Sequence, residues 1–215
     1  MSRRRQRGFT LLEVLVATAL LALGLSLAFA SVRSAQAISA RGEAKAAANE
    51  QMRAVLDVLR SRMQSALPLA FERSQDGVPG VRFDGDAQQL RFVADVPGYF
   101  GRGGPYLHEL RVVPAEQGQG VQLHLRLVLV SAGQLHEESP ARPAEPIATQ
   151  LRQVSLRYRG WDALNGRLGD WQGQWDWAEQ QRPPQFVSIA IEPLEGHAWP
   201  EMVVAIPQQR PGAGS

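Results

Sequence analysis

Between Phe9 and Val32 the chain runs through apolar and small residues, and Glu13 is the only ionisable group among them. A carboxylate in a membrane helix costs about 2.5–3.5 kcal/mol at the bilayer centre and less near an end. Such a charge calls for a cation, and no basic residue follows until Arg33. The partner is therefore expected from another chain. Just before the run stand Arg3, Arg4, Arg5, Arg7 and Gly8. Together these residues point to insertion, orientation and pairing within a membrane.

Other reactive side chains form no catalytic pattern. His108, His124, His136 and His197 are scattered without ligand spacing. Asp162, Asn165 and Asp170 make an oxygen-rich loop that does not match a calcium loop and reads as a surface turn. "PGYFGRGGP", residues 97–105, is glycine-rich but lacks the lysine and hydroxyl of a phosphate loop, so a hairpin loop is expected. No G-x-S-x-G or Ser/His/Asp signature occurs. The chain is therefore read as no enzyme, with no cofactor and no metal. Trp161, Trp171, Trp175 and Trp177 divide between core and surface on this reading. Trp171, Trp175 and Trp177 are the candidate anchors of a partner interface.

Composition limits the partners further. The 215 residues carry 23 basic and 21 acidic groups, a net charge of +2. Without the four N-terminal arginines, 19 basic residues face 21 acidic ones, so the remainder is slightly negative. Nothing there would neutralise phosphates, and nucleic acid is not an expected partner. The basic cluster instead reads as a cytoplasmic flank, which places the rest across the membrane. There is no cysteine, which excludes disulfides, thiolate metal sites and thiol chemistry.

The elements that must carry these residues follow from periodicity. Residues 9–32 are long and apolar enough to span a bilayer core of about 30 Å. Residues 33–67 continue as helix, with Met52, Val55, Leu59, Met63 and Leu67 on one stripe. Gly42 is where a bend would fall, and Pro68 ends the pattern. That stripe is expected to pack partly on the chain's own sheet and partly on partner helices. From residue 81 the period becomes two. Strands are expected at 90–96, 107–113, 121–130, 154–159, 186–191 and 202–206, with turns at 97–105, 117–120, 139–146 and 182–184. Within 121–130, Val121, Leu123, Leu125, Leu127 and Leu129 are expected to line one face. The fold class is α+β: a long N-terminal helix followed by a mainly antiparallel β domain over residues 68–215.

Two readings of the N-terminus remain. Ala28-Phe29-Ala30 suits an ordinary signal peptidase, which would release a soluble periplasmic binding module or enzyme beginning at Ser31. Alternatively the apolar helix is retained, and Glu13 favours this. "RGFTLLEVLVATALLAL" closely resembles the class III signal of type IV pilin-like proteins, including the pseudopilins of type II secretion. The resemblance implies that prepilin peptidase cuts between Gly8 and Phe9, removing residues 1–8, and N-methylates Phe9. The new amine would be the cation that a neighbour's Glu13 meets. It also implies a single-pass inner-membrane protein with a cytoplasmic N-terminus and a periplasmic domain.

Further along, "VSLRYRGW" (154–161), "WQGQWDW" (171–177) and "RPPQFVSIAIEP" (182–193) are similar to the J-type minor pseudopilins of type II secretion. Pro183-Pro184 departs from the Leu-Pro usual there, and the 90–113 segment also diverges. This resemblance implies a tip subunit acting with I-, K- and H-type minor pseudopilins and the major pseudopilin. A minor type IV pilin for motility, adhesion or DNA uptake stays open as the alternative.

Overall fold

The alanine-rich, proline-free N-terminal stretch folds as one helix, α1 (Leu11–Gln64), in a computed structural model. The structure describes residues 10–73, 80–97, 103–115, 118–137, 140, 142–162 and 165–208. The chain divides into two compact units, one up to Gln51 and one from Met52 onward. Every described residue of the first unit is exposed, and the helix runs through Gly24 and Gly42 without interruption. Gly42 therefore marks no break in the helix.

In the second unit, the last turns of α1 bury Val55, Leu59 and Met63 against the sheet. The helix stops at Gln64, three residues short of the expected Leu67. The cause is Pro68, whose ring disfavours helical backbone at the residue before it. Leu67 instead extends, and its N–H donates to the Val93 carbonyl at 2.7 Å.

Among the described residues ten strands follow: β1 (Phe83–Gly85), β2 (Gln89–Val96), β3 (Gly104–Pro114), β4 (Val121–Ser131), β5 (Gln134–His136), β6 (Glu145–Arg159), β7 (Trp161–Asp162), β8 (Arg167–Leu168), β9 (Phe186–Pro193) and β10 (Met202–Ala205). A short helix, α2 (Trp177–Gln180), precedes β9. The main sheet is antiparallel in the order β1-β2-β3-β4-β6-β9-β10, with β5 paired to β4. The expected strands are all present, and the α+β class holds. The 97–105 loop lies mostly outside the described residues.

Two expectations about the sheet need correction. The 139–146 segment is not all turn, because β6 begins at Glu145 and is 15 residues long. Gln150 adopts a left-handed φ of 56° within it, and the pairing register slips on both sides of that point. This bulge lets one strand pair first with β4 and then with β9. The second correction concerns β4. Leu123 is fully buried in the helix-side core, but Leu125, Leu127 and Leu129 are only half-buried. Val128 and Val130, on the opposite face, join Phe71, Val93 and Leu107 in a second core. The chain after α1 crosses that face, with the Phe71 N–H bonded to the Val81 carbonyl at 2.9 Å.

The tryptophan-rich segment closes the sheet. Tyr158 of β6 and Gln172 exchange two backbone hydrogen bonds of 2.8 Å, while Gly85 of β1 and Trp175 exchange bonds of 2.7 and 3.2 Å. Residues 172–175 thus join the free edge of β1 to the end of β6. Trp175 is 2% exposed, and its indole N–H donates to the Arg182 carbonyl at 2.9 Å. The Tyr158 hydroxyl shares its proton between the carbonyls of Asp86 and Gln89, at 2.8 and 3.0 Å. Burial first, then the charges of Asp86 and Asp84, raise its pKa well above the usual phenol value. A Cβ on Gly85 would collide with the Tyr158 phenol, and one on Gly160 with the Trp175 indole.

His108 lies fully buried, stacked on Phe92 with ring centroids 5.3 Å apart. Its Nδ1 sits 3.0 Å from the Tyr106 carbonyl, so Nδ1 carries the proton. Nε2 has no partner among the described residues. Burial pushes the His108 pKa down to about 4, with Arg62 adding to the effect and the Tyr106 bond opposing it.

Two outcomes follow for stability. Gly85→Ala should lower unfolding free energy in urea by about 1–3 kcal/mol through overpacking, and Trp175→Ala by about 3–5 kcal/mol. Gly173→Ala, in the same segment but facing open space, should stay close to wild type. For His108, the folded pKa lies below the unfolded value of about 6.5, so folding disfavours the proton. Its contribution should be complete above about pH 6.5 and decline as the pH falls toward 4, by about 3 kcal/mol in all. Subtracting the pH profile of His108→Phe from that of wild type isolates this term; a flat difference would rule it out.

Candidate functional site

Thr10 begins α1 as its cap. Its carbonyl accepts from the N–H groups of Glu13 and Val14 at 3.0 and 3.3 Å, and its hydroxyl oxygen accepts from the Glu13 N–H at 3.3 Å. Residues 10–13 read Thr-Leu-Leu-Glu, the T-x-x-E pattern of a capping box. That short-range signal is legible in the sequence itself. It gives Glu13 a local role, because a carboxylate in the first turn complements the positive end of the helix dipole. Among the described residues, no side chain donates to the Glu13 carboxylate. Gly8 and Phe9 lie outside the described residues.

Around Glu13 the helix presents only exposed apolar side chains, with Leu11, Leu12, Leu15, Leu20 and Leu27 all largely uncovered. Residues 11–32 rise about 33 Å at about 1.5 Å each, enough to cross the hydrocarbon core. Among the described residues this is the one helix long and apolar enough to do so. A soluble monomer has no means of covering such a surface. The site is therefore a lipid-facing helix with one carboxylate near its start.

The candidate interface residues separate once the core is built. Val55, Leu59, Met63, Trp175 and Trp177 are buried in the helix-side core and serve the fold, which corrects their reading as partner anchors. The correction has a plain cause: the stripe of α1 and the alternate tryptophans face the same sheet. Met52 and Trp171 are half-buried and retain accessible surface. Trp171 lies between two guanidinium groups, with Arg157 and Arg159 at 5.6 and 5.9 Å from its ring centroid. Arg159 is also tied to the Gly169 carbonyl at 2.6 Å. Their i, i+2 spacing on a strand places both arginines on one face, a signal legible in the sequence. Trp161, 42% exposed, pairs with Leu168 in the small β7–β8 ladder. Asp162 and Asn165 form a side-chain-bonded turn there, as the oxygen-rich loop suggested.

The opposite face of β2–β4 is charged but self-paired. Arg91 bridges Glu72 and Asp84 at 2.8 and 2.9 Å. Glu109 is buried between Arg111 and Arg126 at 2.6 and 3.5 Å, and Arg126 reaches on to Glu137 at 2.6 Å. Each cation already has a carboxylate, so this surface offers no unopposed positive field for phosphates.

Comparison with known proteins agrees with the N-terminal reading. Residues 3–29 match the prokaryotic N-terminal methylation motif. Over 212 residues the chain is 49% identical to type II secretion system protein J of Xanthomonas campestris pv. campestris, covering 98% of this chain and 97% of that protein. The alignment covers nearly the whole of both chains, the apolar helix and the β unit alike. The chain belongs to the type II secretion system protein J family, the minor pseudopilins.

Proposed function

We propose that this chain is a non-catalytic assembly subunit at the tip of the pseudopilus, where it helps start the filament that exports folded proteins. Residues 1–8 form the leader that prepilin peptidase removes after Gly8, and Phe9 becomes the methylated N-terminus. Residues 9–32 anchor the protein in the inner membrane, with the four arginines holding the N-terminus on the cytoplasmic side. Residues 33–67 lead into the β-rich domain, residues 68–215, in the periplasm. The I-, K- and H-type minor pseudopilins and the major pseudopilin are its partners. Met52 and Trp171 remain its candidate contact residues outside the membrane.

One observation carries this reading. Glu13 sits in the first turn of a helix whose residues 10–51 are all exposed, and no described side chain donates to its carboxylate. In lipid, an unpaired charge is costly, so a cation on a neighbouring helix would select one axial position over others. The amine created at Phe9 has the right charge and is close to Glu13 in the sequence. Capping by Thr10 fixes the helix start and so the depth of Glu13.

Two measurements test the proposal. The intact mass of the mature chain should correspond to N-methylated Phe9, whereas a start at Ser31 would place the protein among soluble periplasmic modules. Glu13→Ala should leave cleavage and the β domain unchanged but lower recovery with partner pseudopilins from membranes about 10- to 100-fold. That range corresponds to about 1.5–3 kcal/mol for a lost charge-assisted bond. Glu13→Asp should fall between. Normal recovery of the alanine variant would show that pairing does not set the register of this subunit.

A further inference from the structure

The face of β6, β9 and β10 that turns away from α1 gathers an aromatic ring and two cations. Leu156, Tyr158, Val187, Ile189, Met202 and Val204 point into the helix-side core. The alternate residues of the same strands therefore face the other way. The pairing register sets them in rows, Arg157 beside Ser188 and Val203, and Arg159 beside Phe186 and Ala205. Trp171, just before the closing segment 172–175, lies against both arginines, 5.6 and 5.9 Å from its ring centroid. Val203 is 48% exposed, Arg157 and Ala205 are exposed, and Arg159, Trp171 and Phe186 are half-buried.

Charge on this face is not balanced among the described residues. Glu201 accepts from the Ser188 hydroxyl and stands 3.9 Å from Arg157, a loose ion pair. Arg159 gives its Nε–H to the Gly169 carbonyl at 2.6 Å and has no carboxylate partner among the described residues. Asp170, next to Trp171 in the chain, pairs with neither arginine among those residues. Two cations thus share one loosely held carboxylate. On the outer face of β2–β4 the balance is reversed, because Arg91 alone holds two.

The arrangement is ordered before any ligand arrives. Gln172 exchanges two backbone hydrogen bonds of 2.8 Å with Tyr158, which ties the neighbour of Trp171 to β6. Guanidinium groups held over an indole have less freedom to lose on binding. That contact uses the flat face of the group and leaves its N–H edge able to take a carboxylate in a two-pronged bond. Tryptophan and arginine are also the residue types that most often dominate the energy of protein interfaces.

We propose that this face docks a segment of another protein chain that presents a carboxylate flanked by apolar side chains. The proposal deepens the assembly role above and rests on it for the source of the segment, a neighbouring subunit. Charge complementarity selects the occupant: two arginines against one loose carboxylate favour an acidic segment over a neutral one. Phe186, Val203 and Trp171 add an apolar surface from which a free inorganic anion would gain nothing.

The test uses the full-length chain in detergent micelles, labelled with ¹⁵N-tryptophan, with the indole N–H resonances followed by NMR. The Trp171 resonance is identified by its loss in Trp171→Phe. The probes are acetyl-Leu-Glu-Leu-Glu-Leu-amide, its counterpart with both glutamates replaced by glutamine, and inorganic phosphate. The glutamate peptide should shift the Trp171 resonance saturably and bind about tenfold more tightly than the glutamine peptide. Arg157→Gln and Arg159→Gln in one chain should weaken it about tenfold or more, with the buried Trp175 resonance unmoved as the sign of an intact fold. Arg152→Gln should bind as wild type does, because Arg152 pairs with Glu192 at 3.2 Å and does not touch Trp171. Equal binding of the two peptides, equal displacement by phosphate, absence of saturation, or wild-type affinity in the folded double variant would each overturn the proposal. The mature mass and the Glu13→Ala recovery judge the assembly role separately. Their expected results together with equal peptide binding would remove this proposal alone, and a start at Ser31 with selective glutamate binding would remove only the neighbouring subunit as its source.

Discussion

The β unit depends on one piece of backbone pairing, the strap of residues 172–175 that spans from β6 to β1. Without it, β1 would be a three-residue edge strand with one neighbour, and Trp175 would have no buried position. The strap works because two glycines make room for two rings. Gly85 clears the Tyr158 phenol and Gly160 clears the Trp175 indole. Each ring then satisfies its polar atom on a backbone carbonyl, so burial of the aromatic surface leaves no orphaned donor. Edge strands invite pairing with other chains. Here the chain covers β1 with its own backbone.

Charge is handled in contrasting ways along the molecule. On the outer face of β2–β4, carboxylates and guanidinium groups are paired in short networks, which gives a polar face without net demand for a partner. In the core, His108 is kept neutral by burial, with the Arg62 charge adding to the effect. Glu13 and Arg182 differ from both. One is a carboxylate on an exposed apolar helix, and the other holds a buried donor that no described acceptor meets.

Much of the fold was legible from periodicity, and the exceptions have identifiable causes. The apolar run, the alternating strands and the turn clusters report burial directly, because side-chain period follows backbone geometry. Helix α1 ended early because Pro68 acts on Leu67 rather than only on itself. The first half of β6 was missed because Pro146 suggested a turn, whereas the bulge at Gln150 lets a strand start there and change partners. The single apolar face assigned to β4 was incomplete, since the second core depends on the chain after α1 crossing the sheet. No local pattern encodes that crossing.

The functional residues divide along the same line. Gly8, Phe9 and Glu13 lie close together in the sequence, inside the match to the N-terminal methylation motif over residues 3–29. Their chemistry depends on sequence neighbours and a bilayer, so sequence alone determined the family and the membrane helix. The same holds for the capping pattern Thr10 to Glu13, which is local by nature. Which tryptophans are buried, and whether Met63 faces a partner or its own sheet, depends on contacts between residues far apart in the chain. Only the tertiary structure decided that Trp175 and Trp177 belong to the core while Trp171 stays accessible between Arg157 and Arg159.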